Sequence, residues 1–180
     1  LCKKHNACLI ADEVQSGFGR TGDFFAFQKH GIKPDIIPMA KGMGNGFPVG
    51  GILIAPEIEA FPGMLGTTYG GNHLACAASL AVLEVLESEN LMQHAQEMGA
   101  YLIERLSTHT AIKEIRGKGL MIGLEFSEPV AEMRKKLLYE QFIFTGSSSN
   151  PNTIRLLPPL NITQAQIDYF LDGLKQVIQH

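Results

Sequence analysis

The sequence predicts an α/β protein, and three observations carry that expectation. Between residues 7 and 70 the short apolar runs ACLIA, DIIPMA and GGILIA alternate with glycine-rich connections. From Leu74 the chain becomes rich in alanine and leucine at helical spacing, and its last stretch returns to that spacing behind a capping signal. Short apolar runs bounded by turn residues suit buried strands of an α/β sheet, whereas recurrence at three and four residues suits amphipathic helices. At 180 residues, 45% hydrophobic and 18% charged, the chain can bury a sizeable core as one soluble domain or about one and a half.

Each element follows in order. Leu1 to Asn6 read as the last turn of a helix leading into a strand, and with no methionine at the start the expectation is a fragment whose preceding element is missing. ACLIA, DIIPMA and GGILIA are the strands, separated by ADEVQSGFGRTG and AKGMGNGFPVGG. Helix runs from Leu74 through Leu86, and after ESEN it resumes with Leu91, Ala95, Met98, Leu102 and Leu106, as two linked helices or one bent one. IKEIRGKGLMIGLEF reads as strand, turn and strand, because Gly117 and Gly119 interrupt two apolar runs. A short helix is expected over 130–140, a polar loop over 146–152, and a strand in TIRLLPPL stopped by Pro158. Thr163 and Gln166 form a capping box ahead of a helix carrying Ile167, Phe170, Leu171, Leu174 and Ile178. The expected domain division falls between 1–107 and 108–180, with no repeat and no low-complexity segment.

Composition narrows the function. A net charge of −3 with scattered basic residues offers no stripe for nucleic acid or for an anionic membrane surface. The longest nearly apolar run, Leu74 to Leu83, is well short of the roughly 20 residues of a spanning helix, and no charged-then-apolar leader opens the chain, so a cytoplasmic protein is expected. Cys2, Cys8 and Cys76 are odd in number and match no metal spacing, and none of the six histidines falls in an HExxH pair, so reduced thiols and no metal are expected.

In LIADEVQSGFGRTG an apolar strand runs into Asp12, Glu13 and Gln15, which puts Asp12 where the carboxyl edge of an open α/β sheet meets its ligand crevice. The plainer alternative is that Asp12 caps the next turn. Gly17, Gly19 and Gly22 match GxGxxG, but five residues separate them from the strand and Arg20 sits inside the loop, so a dinucleotide fingerprint is a poor fit. AKGMGNGFPVGG sets Lys41 before its glycines and before no hydroxyl, which excludes a P-loop by order. At the end of a short buried strand its ammonium would lose water, and a desolvated lysine is a nucleophile. A solvated surface lysine is the alternative. Thr67 and Thr68, beside Gly70, Gly71 and a helix start, offer hydroxyls and donors suited to a phosphate, or an ordinary turn. Arg155 between Ile154 and Leu156 should hold a carboxylate, from substrate or protein, because a buried unpaired guanidinium is costly. The histidines and the charges Glu114, Arg116 and Lys118 read as surface or satisfied core.

Taken together, ADEVQSGFGRTG, PDIIPMAKGMGNGFPVGG, GTTYGGNHLACAASLAVLE, IRGKGLMIGLE and NTIRLLPPLNI resemble the class III pyridoxal-phosphate-dependent aminotransferases, in family order and spacing over essentially the whole chain. RGKGLMIGLE and IRLLPPL are most similar to the acetylornithine/succinylornithine branch. The resemblance implies a fold type I (aspartate aminotransferase-like) protein, here the second part of the large domain with the small α+β domain. It implies that Lys41 binds pyridoxal 5'-phosphate covalently, that Asp12 pairs with the pyridine nitrogen, that Gln15 bonds the phenolic oxygen, and that Thr67 and Thr68 reach the phosphate from a neighbouring subunit of a homodimer. Arg155 would grip an α-carboxylate, and the reaction would move the terminal amine of N-acetylornithine or succinylornithine to 2-oxoglutarate in arginine biosynthesis. Asn45 stands where the family commonly has glycine and His73 where it commonly has proline. Such proteins run to about twice this length, and the other half would carry a phosphate loop, a ring-stacking aromatic and further substrate contacts, so the isolated chain is expected to turn over little or nothing.

The rival readings are an ornithine or other ω-amino-acid aminotransferase, a racemase or mutase on the same scaffold, a nicotinamide oxidoreductase, and a non-catalytic remnant or interaction module.

Overall fold

A computed structural model describes residues 1–59 and 61–178. The chain divides into two compact units, Leu1–Met92 and Gln93–His180.

The first unit opens with a 3-10 turn, Lys3–His5, stopped by Asn6 in the left-handed region at φ 51°. The chain then runs beside strand β1 (Ile36–Met39) in parallel, with Ile10 bridging Ile36. The Ile36 N–H donates to the Leu9 carbonyl at 3.2 Å, and the N–H groups of Ala11 and Glu13 donate to the carbonyls of Ile36 and Pro38, each at 3.0 Å. The next bond of this ladder would need an N–H at position 38, and proline has none. The strand expected in ACLIA is therefore reduced to a single bridge, although its backbone keeps the parallel register.

On its other side β1 pairs antiparallel with β2 (Gly51–Ile54), Met39 opposite Gly51. Neither strand is buried as the apolar runs suggested: β1 is half-buried along its length, and Ile52 and Leu53 on β2 are exposed. Two strands bury an apolar face only against a covering layer, and hydrophobicity alone does not supply one. Helix α1 (His73–Ser88) follows, its first turn capped by Asn72, whose side chain accepts from the Ala75 N–H at 3.0 Å. His73 is the first helical residue, where a missing N–H is harmless and proline is welcome. Asn45, the other departure from the family pattern, sits at φ 45°, a region asparagine enters more readily than most residues do.

Asn90 at φ 50° separates α1 from α2 (Leu91–Leu106), so these are two helices rather than one bent helix. All but the first two residues of α2 lie in the second unit, and its Leu102 and Leu106 belong to that unit's core. The compact division thus falls ahead of the 107/108 division read from the sequence.

Strands β3 (Glu114–Lys118) and β4 (Met121–Glu125) form a hairpin through Gly119 and Leu120. Helix α3 (Ala131–Glu140) leads to β5 (Gly146–Ser147), then β6 (Thr153–Leu156) and α4 (Gln164–Ile178). The antiparallel sheet runs β3-β4-β6-β5. The polar loop expected over 146–152 therefore begins with a short strand. Alternation sends Ile122, Leu124, Ile154 and Leu156 to one face, where they pack with Leu102, Leu106, Leu137, Ile167, Leu171 and Leu174. Each fully buried side chain of this kind contributes about 1.5–3 kcal/mol relative to exposure. The capping box is formed: the Gln166 N–H donates to Thr163 Oγ1 at 3.3 Å, and the Thr163 N–H donates to Gln166 Oε1 at 2.9 Å. Gly99 of α2 lies so close to the Gly119 carbonyl that no side chain fits there. No helix of the described residues is long and apolar enough to cross a membrane.

Candidate functional site

Two chain segments bring chemistry to one end of the first unit. Residues 9–13 and β1 run in the same direction, so Asp12 and Lys41 both follow the carboxyl ends of neighbouring segments. The register that pairs Ile10 with Ile36 sets Asp12 level with Pro38, shortly before Lys41.

Asp12 is exposed, and its Oδ1 accepts the Val14 N–H at 3.0 Å, so it does cap the following turn. Gln15 lies half-buried in that turn. The loop is held by the acid that follows Asp12. Glu13 is only 2% exposed; its Oε1 accepts the Phe27 N–H at 2.9 Å, its Oε2 accepts the Ser16 hydroxyl at 2.5 Å, and its own N–H and carbonyl bind Pro38 and Gly17. A buried carboxylate so fully bonded anchors the loop. Sequence pattern assigned Glu13 no role, and its one signal is an acidic residue close behind an apolar strand. Behind it Phe18, Phe24 and Phe25 pack with tilted and edge-on rings, their centroids 4.7–6.4 Å apart.

Lys41 opens a 3-10 turn (Lys41–Met43) behind an extended Ala40, and its own φ is 47°. A lysine in the left-handed region costs on the order of 1–2 kcal/mol, and residues held so gather at functional sites. The turn is imposed by its neighbours. The Met43 and Gly44 N–H groups donate to the Ala40 and Lys41 carbonyls, and at Gly42 a Cβ would lie 3.2 Å from Phe18 Cβ. Lys41 is exposed in this chain, which corrects the expectation of a desolvated ammonium: the strand it follows, β1, is itself only half-buried.

Thr67 and Thr68 are exposed and precede α1 by a turn, rather than adjoining it. The Ala75 N–H at that helix start is already taken by Asn72.

Arg155 belongs to the second unit and is described there alone. It occupies the sheet face opposite the core, with Gly123 and Gly146 as its cross-strand neighbours. A Cβ at Gly146 would stand 3.2 Å from Arg155 Nε, so the guanidinium stem lies against a bare strand. Nε is buried without a hydrogen-bond partner, and among the described residues no carboxylate pairs with Arg155. The acids on this face are committed elsewhere. Arg116 Nη1 binds Glu125 Oε2 at 2.6 Å and Glu114 Oε2 at 2.7 Å, and Lys113 Nζ reaches Glu125 Oε1 at 3.3 Å. The hydrogen bond from Arg116, followed by that from Lys113, holds the Glu125 carboxyl below its ordinary range, and the bond to Glu125 raises the Arg116 guanidinium.

Among the described residues no three His, Cys, Asp or Glu side chains gather as a metal cluster. The donor set of the first unit is instead a carboxylate, an amide, an amine and two hydroxyls.

A family profile described as aminotransferase class-III matches residues 1–178. The acetylornithine aminotransferase of Bacillus subtilis (strain 168) is 46% identical over 184 residues, covering 99% of this chain and 47% of that protein. The ornithine aminotransferase of Oceanobacillus iheyensis is 43% identical over 183 residues, covering 99% of this chain and 46% of its own. The solved structure of Plasmodium falciparum ornithine delta-aminotransferase superposes with a TM-score of 0.87 at 37% identity, over 99% of this chain and 48% of that one. The chain spans about half the length of the curated relatives it matches.

Proposed function

The chain belongs to the class-III aminotransferases, a family of enzymes with the type I fold, and from that premise we propose that it is part of a pyridoxal-phosphate-dependent aminotransferase acting on N-acetylornithine or succinylornithine with 2-oxoglutarate. The observation that carries this reading is Lys41: an exposed amine on a strained backbone, in a glycine-rich turn at the carboxyl end of β1, with Asp12 ending the parallel neighbour. The donor set fits the cofactor group by group. A carboxylate (Asp12) suits a protonated pyridine nitrogen, an amide (Gln15) a phenolic oxygen, an amine (Lys41) an aldehyde, and hydroxyls (Thr67, Thr68) a phosphate.

When bound, pyridoxal phosphate supplies an electron sink for the carbon that carries the donor amine. The Asp12 carboxylate would hold the pyridine end of the cofactor and favour a proton on its nitrogen. Lys41 would hold the cofactor through Nζ, and its amine would be the base that carries the proton from the amine-bearing carbon of the donor to the cofactor side. Arg155 grips the α-carboxylate of 2-oxoglutarate by a bidentate pair, which lysine cannot imitate. Thr67 and Thr68 serve the site of a second copy, so the working protein is a homodimer, and residues 1–107 and 108–180 are its large-domain part and small domain. The Bacillus subtilis relative, named for acetylornithine, supports the donor; the Oceanobacillus iheyensis relative, named for ornithine, keeps free ornithine as a second reading.

The test is an absorbance titration of the chain with pyridoxal phosphate, run on wild type and on Lys41→Ala. A visible band that Lys41→Ala abolishes is expected; the same band in the variant would overturn the assignment. Initial rates of the full-length protein with acetylornithine, succinylornithine and ornithine then rank the donors.

A further inference from the structure

We infer that Arg116 is a positioning residue for the keto-acid site: by engaging Glu125 it keeps that carboxylate from neutralising Arg155. The inference rests on the reading of Arg155 as the grip on the substrate carboxylate. On the face opposite the core, Arg116 lies across from Gly123, Gly123 across from Arg155, and Glu125 across from Thr153. Glu125 and Arg155 are therefore diagonal neighbours on adjacent strands, a spacing that long side chains span. On β4 the position across from Arg155 is Gly123, which carries no side chain; the space over it is taken by Thr153 Cγ2, which a Cβ there would meet at 3.4 Å, and by the Arg116 guanidinium reaching Thr153 Oγ1. Two arginines compete for one carboxylate, and Arg116 holds it at 2.6 Å while also binding Glu114 and reaching Thr153 Oγ1 at 3.4 Å. Lys113, largely exposed, and Asn150 Nδ2, at 3.4 Å, are weaker tethers on Glu125. The arrangement leaves Arg155 without a carboxylate partner among the described residues and with a bare strand beside it, which suits a carboxylate ligand.

A merely structural Arg116–Glu125 pair would make the two single variants equivalent; competition makes them opposite. Arg116→Gln should release Glu125 onto Arg155 and weaken 2-oxoglutarate binding about fivefold, the scale of a cross-strand charge pair. Glu125→Gln should bind like wild type, and Arg116→Gln with Glu125→Gln should recover the lost affinity. The experiment is a 2-oxoglutarate titration of this chain and these variants, with Arg155→Gln as control, followed by the side-chain N–H resonance of Arg155. That resonance should move in Arg116→Gln and return in the double variant even without ligand. A double variant as weak as Arg116→Gln, or an Arg155 resonance unmoved by Arg116→Gln, overturns the proposal. If wild type and Arg155→Gln bind alike, the carboxylate reading of Arg155 fails instead, and the resonance still decides whether Glu125 moves.

Discussion

The first unit carries the proposed cofactor chemistry on a sparse core, whereas the second carries a closed core with Arg155, which pairs with no carboxylate among the described residues, on its far face. Ile122, Leu124, Ile154 and Leu174 are at most 1% exposed in the second unit, while Ile10, Ile52, Leu53, Leu74 and Leu80 in the first are 42–71% exposed. Packing and chemistry are thus distributed unequally along this chain. The second unit's elements are fixed by their own side chains, and the first unit's loops by a few polar anchors such as Glu13.

Substitutions can break that contrast. Leu124→Ala, at 0% exposure, should cost about 2–5 kcal/mol in urea unfolding of the second unit, whereas Leu53→Ala, at 48% exposure, should stay within about 0.5 kcal/mol. Equal losses would show that the first unit has a core of comparable weight. Glu13→Ala should cost about 1–3 kcal/mol, because it strips the Phe27 N–H and the Ser16 hydroxyl of their acceptor. Its mark should be faster hydrogen exchange over residues 14–28, and unchanged exchange there would mean that the aromatic cluster holds the loop without Glu13.

The smallest effect concerns pH. Arg116 and Lys113 lower the Glu125 carboxyl, so the stability from that pair is complete above the ordinary carboxylate range and is lost as pH falls through the lower folded value. Glu125→Gln should therefore be slightly less stable at neutral pH and show a shallower loss on acidification. A variant with an acid limb as steep as wild type's would place the titration elsewhere.

Local signals served the second unit well. The capping box of Thr163 and Gln166 and the glycines of the β3–β4 hairpin act within a few residues, so both were legible in the sequence. The first unit was less legible where the outcome depends on a neighbour. Pro38 cuts the ladder of a strand distant in sequence, and the exposure of Lys41 depends on what covers β1. At the candidate site, Lys41, Asp12 and Arg155 stood out because each residue type was unusual for its place. Glu13 and the Arg116–Glu125 pair did not, because their partners are Phe27, Ser16 and residues on other strands, which no local pattern announces.

The most direct test of the central claim is borohydride reduction of the chain with pyridoxal phosphate, followed by peptide mapping. A reduced cofactor adduct is expected on Lys41, in the peptide that contains the turn Lys41–Met43. An adduct confined to another lysine, such as Lys29 or Lys33, would contradict it.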